Sequence, residues 1–239
     1  MRHYLIVDDN VAFAENLREI VADLGDEVTL ARNGAEALEL ATRQRYDAIV
    51  TDMKMPLMSG AELVHRVRRA DPGVAAIVVT AYVRDNDLDA ARREGLLAVM
   101  PKPVPIPRLL ELLRVARRDG LVVLVEDDVA LSDNLCEALR SHGFAAVTAA
   151  SILETERLGP VRPFCALVDL RVTGGPAGEA MRRLGAKFAG LPMIVVTGYP
   201  DPPPLPHEGF FLKPFDTRVL LDAVERLHRS RTPEAASRR

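Results

Sequence analysis

An acidic pair, a lone aspartate, a threonine and a lysine recur along this sequence, each at the end of a short apolar run. The first set of runs reads YLIVDDN, AIVTDMKMP, AAIVVTAY and VMPKP, and the second reads VVLVEDD, CALVDLRV, PMIVVTGY and GFFLKPF. The residues that could do chemistry are Asp8, Asp9, Asp52, Thr80 and Lys102, then Glu126, Asp127, Asp169, Thr197 and Lys213. Asp9 to Asp52 is 43 positions and Asp127 to Asp169 is 42, and the step from Asp to Thr is 28 in both copies. The step from Thr to Lys is 22 in the first copy and 16 in the second. Three carboxylates at close range repel one another, and a divalent cation relieves that repulsion. An oxygen-only set suits Mg²⁺. A carboxylate can then attack phosphorus as a nucleophile, while metal, amine and hydroxyl balance the charge on the transferred oxygens. The pattern reads as a magnesium-dependent phosphoryl site, present twice.

Each feature taken singly has a plainer reading. An acidic pair after a strand serves well as a helix N-cap, Thr80 and Thr197 could be ordinary strand residues, and Lys102 could be a solvated side chain. The recurrence of all of them at matching spacings favours the site. The five histidines show no metal-ligand spacing, and Arg66, Arg68 and Arg69 read as a solvated helix face.

Strand and helix signals alternate between these residues. Tyr4–Val7, Glu27–Leu30, Ala48–Thr51, Ala75–Thr80 and Leu96–Met100 read as strands. Helical periodicity covers Asn10–Leu24, Glu36–Arg43, Ala61–Arg69, Asp87–Glu94 and Pro107–Arg118, the last with Leu109, Leu110, Leu112, Leu113 and Ala116 inward. Continuously apolar strands mark a parallel sheet covered on both faces. Functional residues at the carboxyl ends of such strands point to a doubly wound α/β fold. The second copy follows the same path except at PDPPPLPHEG, where five prolines forbid a regular helix and account for the shorter last step. The expectation is two tandem five-stranded domains, residues 1–118 and 119–229, the second with a degenerate fourth helix. Residues 230–239 read as a disordered tail. The Asp119–Gly120 junction is too short for a flexible tether, which predicts a restricted orientation.

Composition narrows the function. The net charge of −3 gives no basic face for nucleic acid. No apolar run reaches the roughly 18 residues of a membrane span. Asp8 and Asp9 interrupt the first apolar stretch, so it is not a signal peptide. Two cysteines, Cys136 and Cys165, are too few for a disulfide framework and read as buried thiols in a reducing cytoplasm.

Both copies resemble response-regulator receiver domains of two-component signalling, and the likeness spans nearly the whole chain. It implies the strand order 2-1-3-4-5, phosphoacceptors at Asp52 and Asp169, and switch hydroxyls at Thr80 and Thr197. It also implies phosphate-binding lysines at Lys102 and Lys213, each followed by a cis proline. Mg²⁺ would be held by Asp8, Asp9 and Asp52, and by Glu126, Asp127 and Asp169, with the backbone carbonyls of Lys54 and Arg171 completing the shells. Two departures stand out. The aromatic switch residue usual three places before the lysine is Val99 in the first copy and Phe210 in the second. VTGGPAG follows Asp169 where MPLMSG follows Asp52.

The resulting expectation is a tandem receiver, not itself an enzyme. It would be phosphorylated by a histidine kinase or histidine phosphotransfer protein and act on a downstream protein target, with a homodimer left open. A DNA-binding output domain has no room after about Arg229. A phosphorylation-independent scaffold is the alternative reading. An aspartyl-phosphate phosphatase would need its nucleophile after the first strand in a DxD arrangement, and a flavodoxin-like redox protein a Ser/Thr-rich loop there; neither is present.

Overall fold

The structure is a computed structural model, and it describes residues 1–81, 95–159, 161–201 and 204–231. The helix expected over 87–94, Tyr82, Pro202, Pro203 and the tail from 232 lie outside the described residues. The chain divides into two compact units, Met1–Arg118 and Asp119–Arg239.

In the first unit the elements follow as β1 (His3–Val7), α1 (Val11–Ala22), β2 (Glu27–Ala31), α2 (Gly34–Arg43), β3 (Ala48–Asp52), α3 (Gly60–Ala70), β4 (Ala75–Thr80), β5 (Ala98–Pro101) and α4 (Ile106–Val115). The strands pair in the order β2-β1-β3-β4-β5, all parallel. Strand alternation splits the core between the two faces of the sheet. Tyr4 and Ile6 pack with Leu17, Ile77 and Leu109. Leu5 and Val7 pack with Ala37, Ile49 and Leu63.

The second unit repeats this plan with β6 (Leu121–Val125), α5 (Val129–Ser141), β7 (Ala145–Ala149), α6 (Ile152–Arg157), β8 (Cys165–Val168), α7 (Glu179–Lys187), β9 (Met193–Thr197), β10 (Gly209–Leu212) and α8 (Thr217–Arg231). Its order, β7-β6-β8-β9-β10, is the same when read from the matching edge. Val123 and Val125 face one core cluster with Met181 and Leu184. Val122 and Leu124 face another with Leu135, Phe144 and Leu220. Cys136 and Cys165 are both free and buried.

Local sequence explains where helices start. Asn10, Asn33, Ser59, Asp128 and Ser151 each accept a hydrogen bond from the backbone N–H three residues on. At Asn33 and Ser151 a glutamate three places later returns the favour to the backbone N–H just before the cap, from Arg32 and Ala150.

Several sequence expectations shift. Helix α4 ends at Val115 rather than Arg118, because Ala116 takes an extended backbone (φ −48°, ψ 130°). Arg118 then reaches the Tyr46 carbonyl and, at 2.6 Å, Asp71 Oδ1. Arg68 is buried rather than solvated, and its Nη2 donates to the Gly95 carbonyl at 2.9 Å. Helix α8 runs on to Arg231, two residues into the segment expected to be tail. Its guanidinium donates to the carbonyls of Gly190 (3.0 Å) and Phe164 (3.3 Å), which holds that end down. Residues 204–208 enter β10 without helix, as their prolines require.

Candidate functional site

The sheet register delivers the site residues to one edge. Val7 lies opposite Thr51 and Asp52 opposite Val79, while Thr80 lies opposite Pro101. Asp8, Asp52, Thr80 and Lys102 therefore leave four neighbouring strands at one level. The second sheet repeats this, with Val125 opposite Val168, Val168 opposite Val195 and Thr197 opposite Leu212. Parallel strands present such carboxyl ends to ligands.

In the first unit the Lys102 ammonium sits 2.8 Å from Asp8 Oδ2 and 3.0 Å from Asp52 Oδ1. It also lies 5.0 Å from the centre of the Phe13 ring. Burial alone pushes this ammonium down. The hydrogen bonds and charges of Asp8 and Asp52 more than reverse that, so its pKa stands above the usual lysine value. Asp8, Asp52 and Thr80 are all buried, and Asp8 Oδ1 accepts from the Asn10 N–H at 2.9 Å. Gly60, at the start of α3, approaches the acceptor strand so closely that a Cβ there would stand 2.2 Å from the Asp52 carbonyl oxygen. Its N–H donates to the Met53 carbonyl at 2.9 Å and closes the loop behind the acceptor.

The second unit holds the same bridge. Lys213 Nζ is 2.7 Å from Glu126 Oε2 and 2.7 Å from Asp169 Oδ2. Its pKa is likewise raised, burial being outweighed by those two carboxylates. Burial pushes the Glu126 carboxyl up, with Lys213 opposing. Arg171 N–H donates to Asp169 Oδ1 at 3.1 Å. Both lysine–proline bonds, Lys102–Pro103 and Lys213–Pro214, are cis, as the resemblance implies.

The two acid clusters differ. Glu126, Asp127 and Asp169 can each offer an oxygen within 4.8 Å of the others. Among the described residues Asp8, Asp9 and Asp52 form no such group. Asp127 is turned in by Thr173, whose N–H and hydroxyl reach Asp127 Oδ2 at 3.1 and 2.9 Å. Sequence reasoning missed Thr173. The signal lay in the segment after Asp169, where Thr173 stands four places past the acceptor and Pro56 takes the matching place after Asp52. Of the two aromatic-switch positions, Val99 is part of β5 and Phe210 of β10, each half-buried against its own core.

The fold, the carboxylate edge and the lysine bridges define a doubly wound α/β domain built twice. The sequence profile of the response regulator receiver domain matches residues 4–114. A response regulator receiver protein of Anaeromyxobacter sp. strain Fw109-5 is 70% identical over 231 residues, covering 97% of each chain. The chain belongs to the response regulator receiver family. The polar-differentiation response regulator DivK of Brucella anthropi is 33% identical over 46% of this chain and 91% of its own. Among solved structures, the receiver domain of sensor histidine kinase PA1611 of Pseudomonas aeruginosa PAO1, with a magnesium ion coordinated in its active-site cleft, is 29% identical. It covers 47% of this chain and 94% of its own, with a TM-score of 0.44. Among the described residues no helix is long and apolar enough to cross a membrane.

Proposed function

We propose that this chain accepts phosphoryl groups on Asp52 and Asp169 from the phosphohistidine of a histidine kinase or histidine phosphotransfer protein. Phosphorylation then changes which proteins it binds, as a relay or adaptor module. The observation that carries this reading is the lysine bridge found in both units: Lys102 between Asp8 and Asp52, and Lys213 between Glu126 and Asp169. A carboxylate oxygen of the acceptor forms the new O–P bond, and the P–N bond of the donor breaks with its electron pair returning to the imidazole. The lysine stands ready to pair with the transferred phosphoryl oxygens in place of the carboxylates it now holds. Thr80 and Thr197, buried at the ends of β4 and β9, offer hydroxyls beside that position.

The donor set is all carboxylate oxygen, which fits a hard dication and no soft one. Glu126, Asp127 and Asp169 would hold Mg²⁺ in the second unit and Asp8, Asp9 and Asp52 in the first, with the carbonyls of Arg171 and Lys54 as further ligands. Bound there, the metal supplies positive charge against the incoming phosphoryl group.

A groove of about 280 Å³ runs beside the first bridge, lined by Phe13, Leu17, Ile20, Pro103, Val104 and Ile106. Beside the second is one of about 470 Å³ that includes Leu131, Pro214 and Phe215. Apolar surface of this kind next to a phosphoacceptor suits a docking protein donor.

Treatment of the full chain with acetyl phosphate and Mg²⁺, followed by mass mapping, tests the reading. Phosphorylation of Asp52 and Asp169, lost singly in Asp52→Asn and Asp169→Asn, is the expected result. A chain that takes up no phosphate from acetyl phosphate or from any phosphorylated histidine protein would instead be a scaffold.

A further inference from the structure

The two units carry acids at matching positions, Asp8 against Glu126, Asp9 against Asp127 and Asp52 against Asp169, but hold them differently. Asp127 Oδ2 receives both the N–H (3.1 Å) and the hydroxyl (2.9 Å) of Thr173. Thr173 is itself fixed. It forms a parallel bridge with Ser151, the N-cap of α6, and its carbonyl accepts from the Ile152 N–H at 3.0 Å. The chain Ser151–Thr173–Asp127 thus ties a helix start to an exposed acid. In the first unit the corresponding place after the acceptor is Pro56, which has no N–H and no hydroxyl to give. Among the described residues Asp9 has no partner comparable to Thr173, and its carboxylate does not join those of Asp8 and Asp52.

A carboxylate with Oδ2 pinned keeps Oδ1 for a ligand and loses little rotamer freedom when it binds one. Hydrogen-bonded partners behind metal-ligating side chains orient them in this way, and removing one typically lowers metal affinity about 10–100-fold. We propose that Thr173 is a positioning residue for the divalent cation of the second unit. Through it the second site is preorganised and binds Mg²⁺ more tightly than the first. The proposal rests on the metal reading of Glu126, Asp127 and Asp169 given above. It gives a physical role to the segment after Asp169 that departs from the first copy.

The test is isothermal titration of the full-length chain with Mg²⁺, in an Asp9→Asn background so that only the second site is followed. Thr173→Val keeps the shape and the backbone N–H but removes the hydroxyl. Thr173→Ser retains both donors. Thr173 is exposed, so neither change opens a core cavity, and circular dichroism checks the fold. The expected result is about a 10-fold weaker Mg²⁺ affinity for Thr173→Val and wild-type affinity for Thr173→Ser. The proposal falls if Thr173→Val binds as tightly as the parent or tighter, or if Thr173→Ser is as weak as Thr173→Val. Asp127→Asn in the same background separates the two levels. If it abolishes binding while Thr173→Val does not alter it, the metal reading stands and the role of Thr173 fails. If Asp127→Asn also leaves the titration unchanged, the metal assignment itself fails. The ranking of the sites is read from Asp9→Asn against Asp127→Asn, and a tighter first site would overturn it.

Discussion

The guanidinium of Arg171 lies 4.3 Å from the centre of the Tyr199 ring. Arg171 stands two places after Asp169, the proposed acceptor, and Tyr199 two places after Thr197. The contact joins the loop that carries the acceptor to the loop that carries the hydroxyl. Both ends are tied back to the site, since Arg171 N–H donates to Asp169 Oδ1 and Tyr199 N–H to Thr197 Oγ1 at 3.3 Å. A pair between these two loops would narrow the approach of the water that hydrolyses an aspartyl phosphate, a reaction that depends on placing that water. An exposed cation–π contact contributes about 0.5–1 kcal/mol. Arg171→Ala should therefore shorten the lifetime of phospho-Asp169 by about two- to fivefold, and Tyr199→Ala by a similar factor. The decay of phosphorylated protein after removal of the donor, followed in an Asp52→Asn background, measures it. Equal lifetimes in parent and variants would remove the gating role.

Asp52→Asn should abolish phosphorylation of the first unit and leave that of Asp169 intact. Asparagine has no nucleophilic carboxylate, yet it keeps the shape beside Lys102 and Asp8. Peptide mass mapping after reaction with acetyl phosphate separates the two units. Phosphate still found on residues 48–59 of the variant would place the acceptor on another side chain.

Gly60→Ala should destabilise the first unit although alanine favours helices. The helix propensity gain is about 1 kcal/mol. The added methyl would lie 2.2 Å from the Asp52 carbonyl oxygen and 3.2 Å from Met53 Cα, both backbone atoms that cannot swing aside. Overpacking of this kind typically costs about 1–3 kcal/mol, occasionally more, so the clash wins. Thermal unfolding should show the Tm of the first unit lowered and that of the second unchanged. A raised Tm would mean that the loop over Met53–Ser59 yields easily.

Much of this arrangement was readable from residue order. The strands of the sheet interiors are unbroken apolar runs, so Ala75–Thr80 was legible to the residue, and each polar residue ending such a run had to emerge at the same edge. The prolines Pro204 and Pro206 kept residues 204–208 out of a helix on covalent grounds. What escaped are contacts made across long separations by residues of ordinary type. Thr173 meets Asp127 across 46 positions. Arg118 leaves the helical path for Asp71, 47 positions away. Arg68 looks like its neighbours on a charged helix, yet it is buried against the Gly95 carbonyl. Periodicity sorts faces into apolar and polar, but it does not show which polar residues find partners. Asp9 and Asp127 occupy equivalent places in the repeat, and their difference comes from the loop opposite, Pro56 in one unit and Thr173 in the other.

The hydroxyl of Tyr4 is buried in the first unit and donates to the Leu113 carbonyl at 3.1 Å, tying β1 to α4. Burial, and next the charge of Asp26, push its pKa up to about 12, with Arg2 opposing. In the unfolded chain the same group titrates near the ordinary value of 10.0. Between pH 10 and about 12 the unfolded state has therefore lost this proton while the folded state keeps it. Stability falls with pH wherever the unfolded state binds fewer protons, so the contribution of Tyr4 is whole below pH 10 and is lost as pH rises toward 12. Comparison with Tyr4→Phe isolates the phenol. At pH 8 the variant should be less stable by about 1 kcal/mol, the net value of a buried hydrogen bond. Its deficit should then shrink as pH rises past 10 and change sign before pH 12, because phenylalanine has no proton to lose. Denaturant unfolding of parent and variant across that range provides the comparison, alongside ultraviolet titration of tyrosinate in the folded protein. A deficit independent of pH, or folded-state ionisation of all four tyrosines near pH 10, would show that Tyr4 is not held protonated by its surroundings.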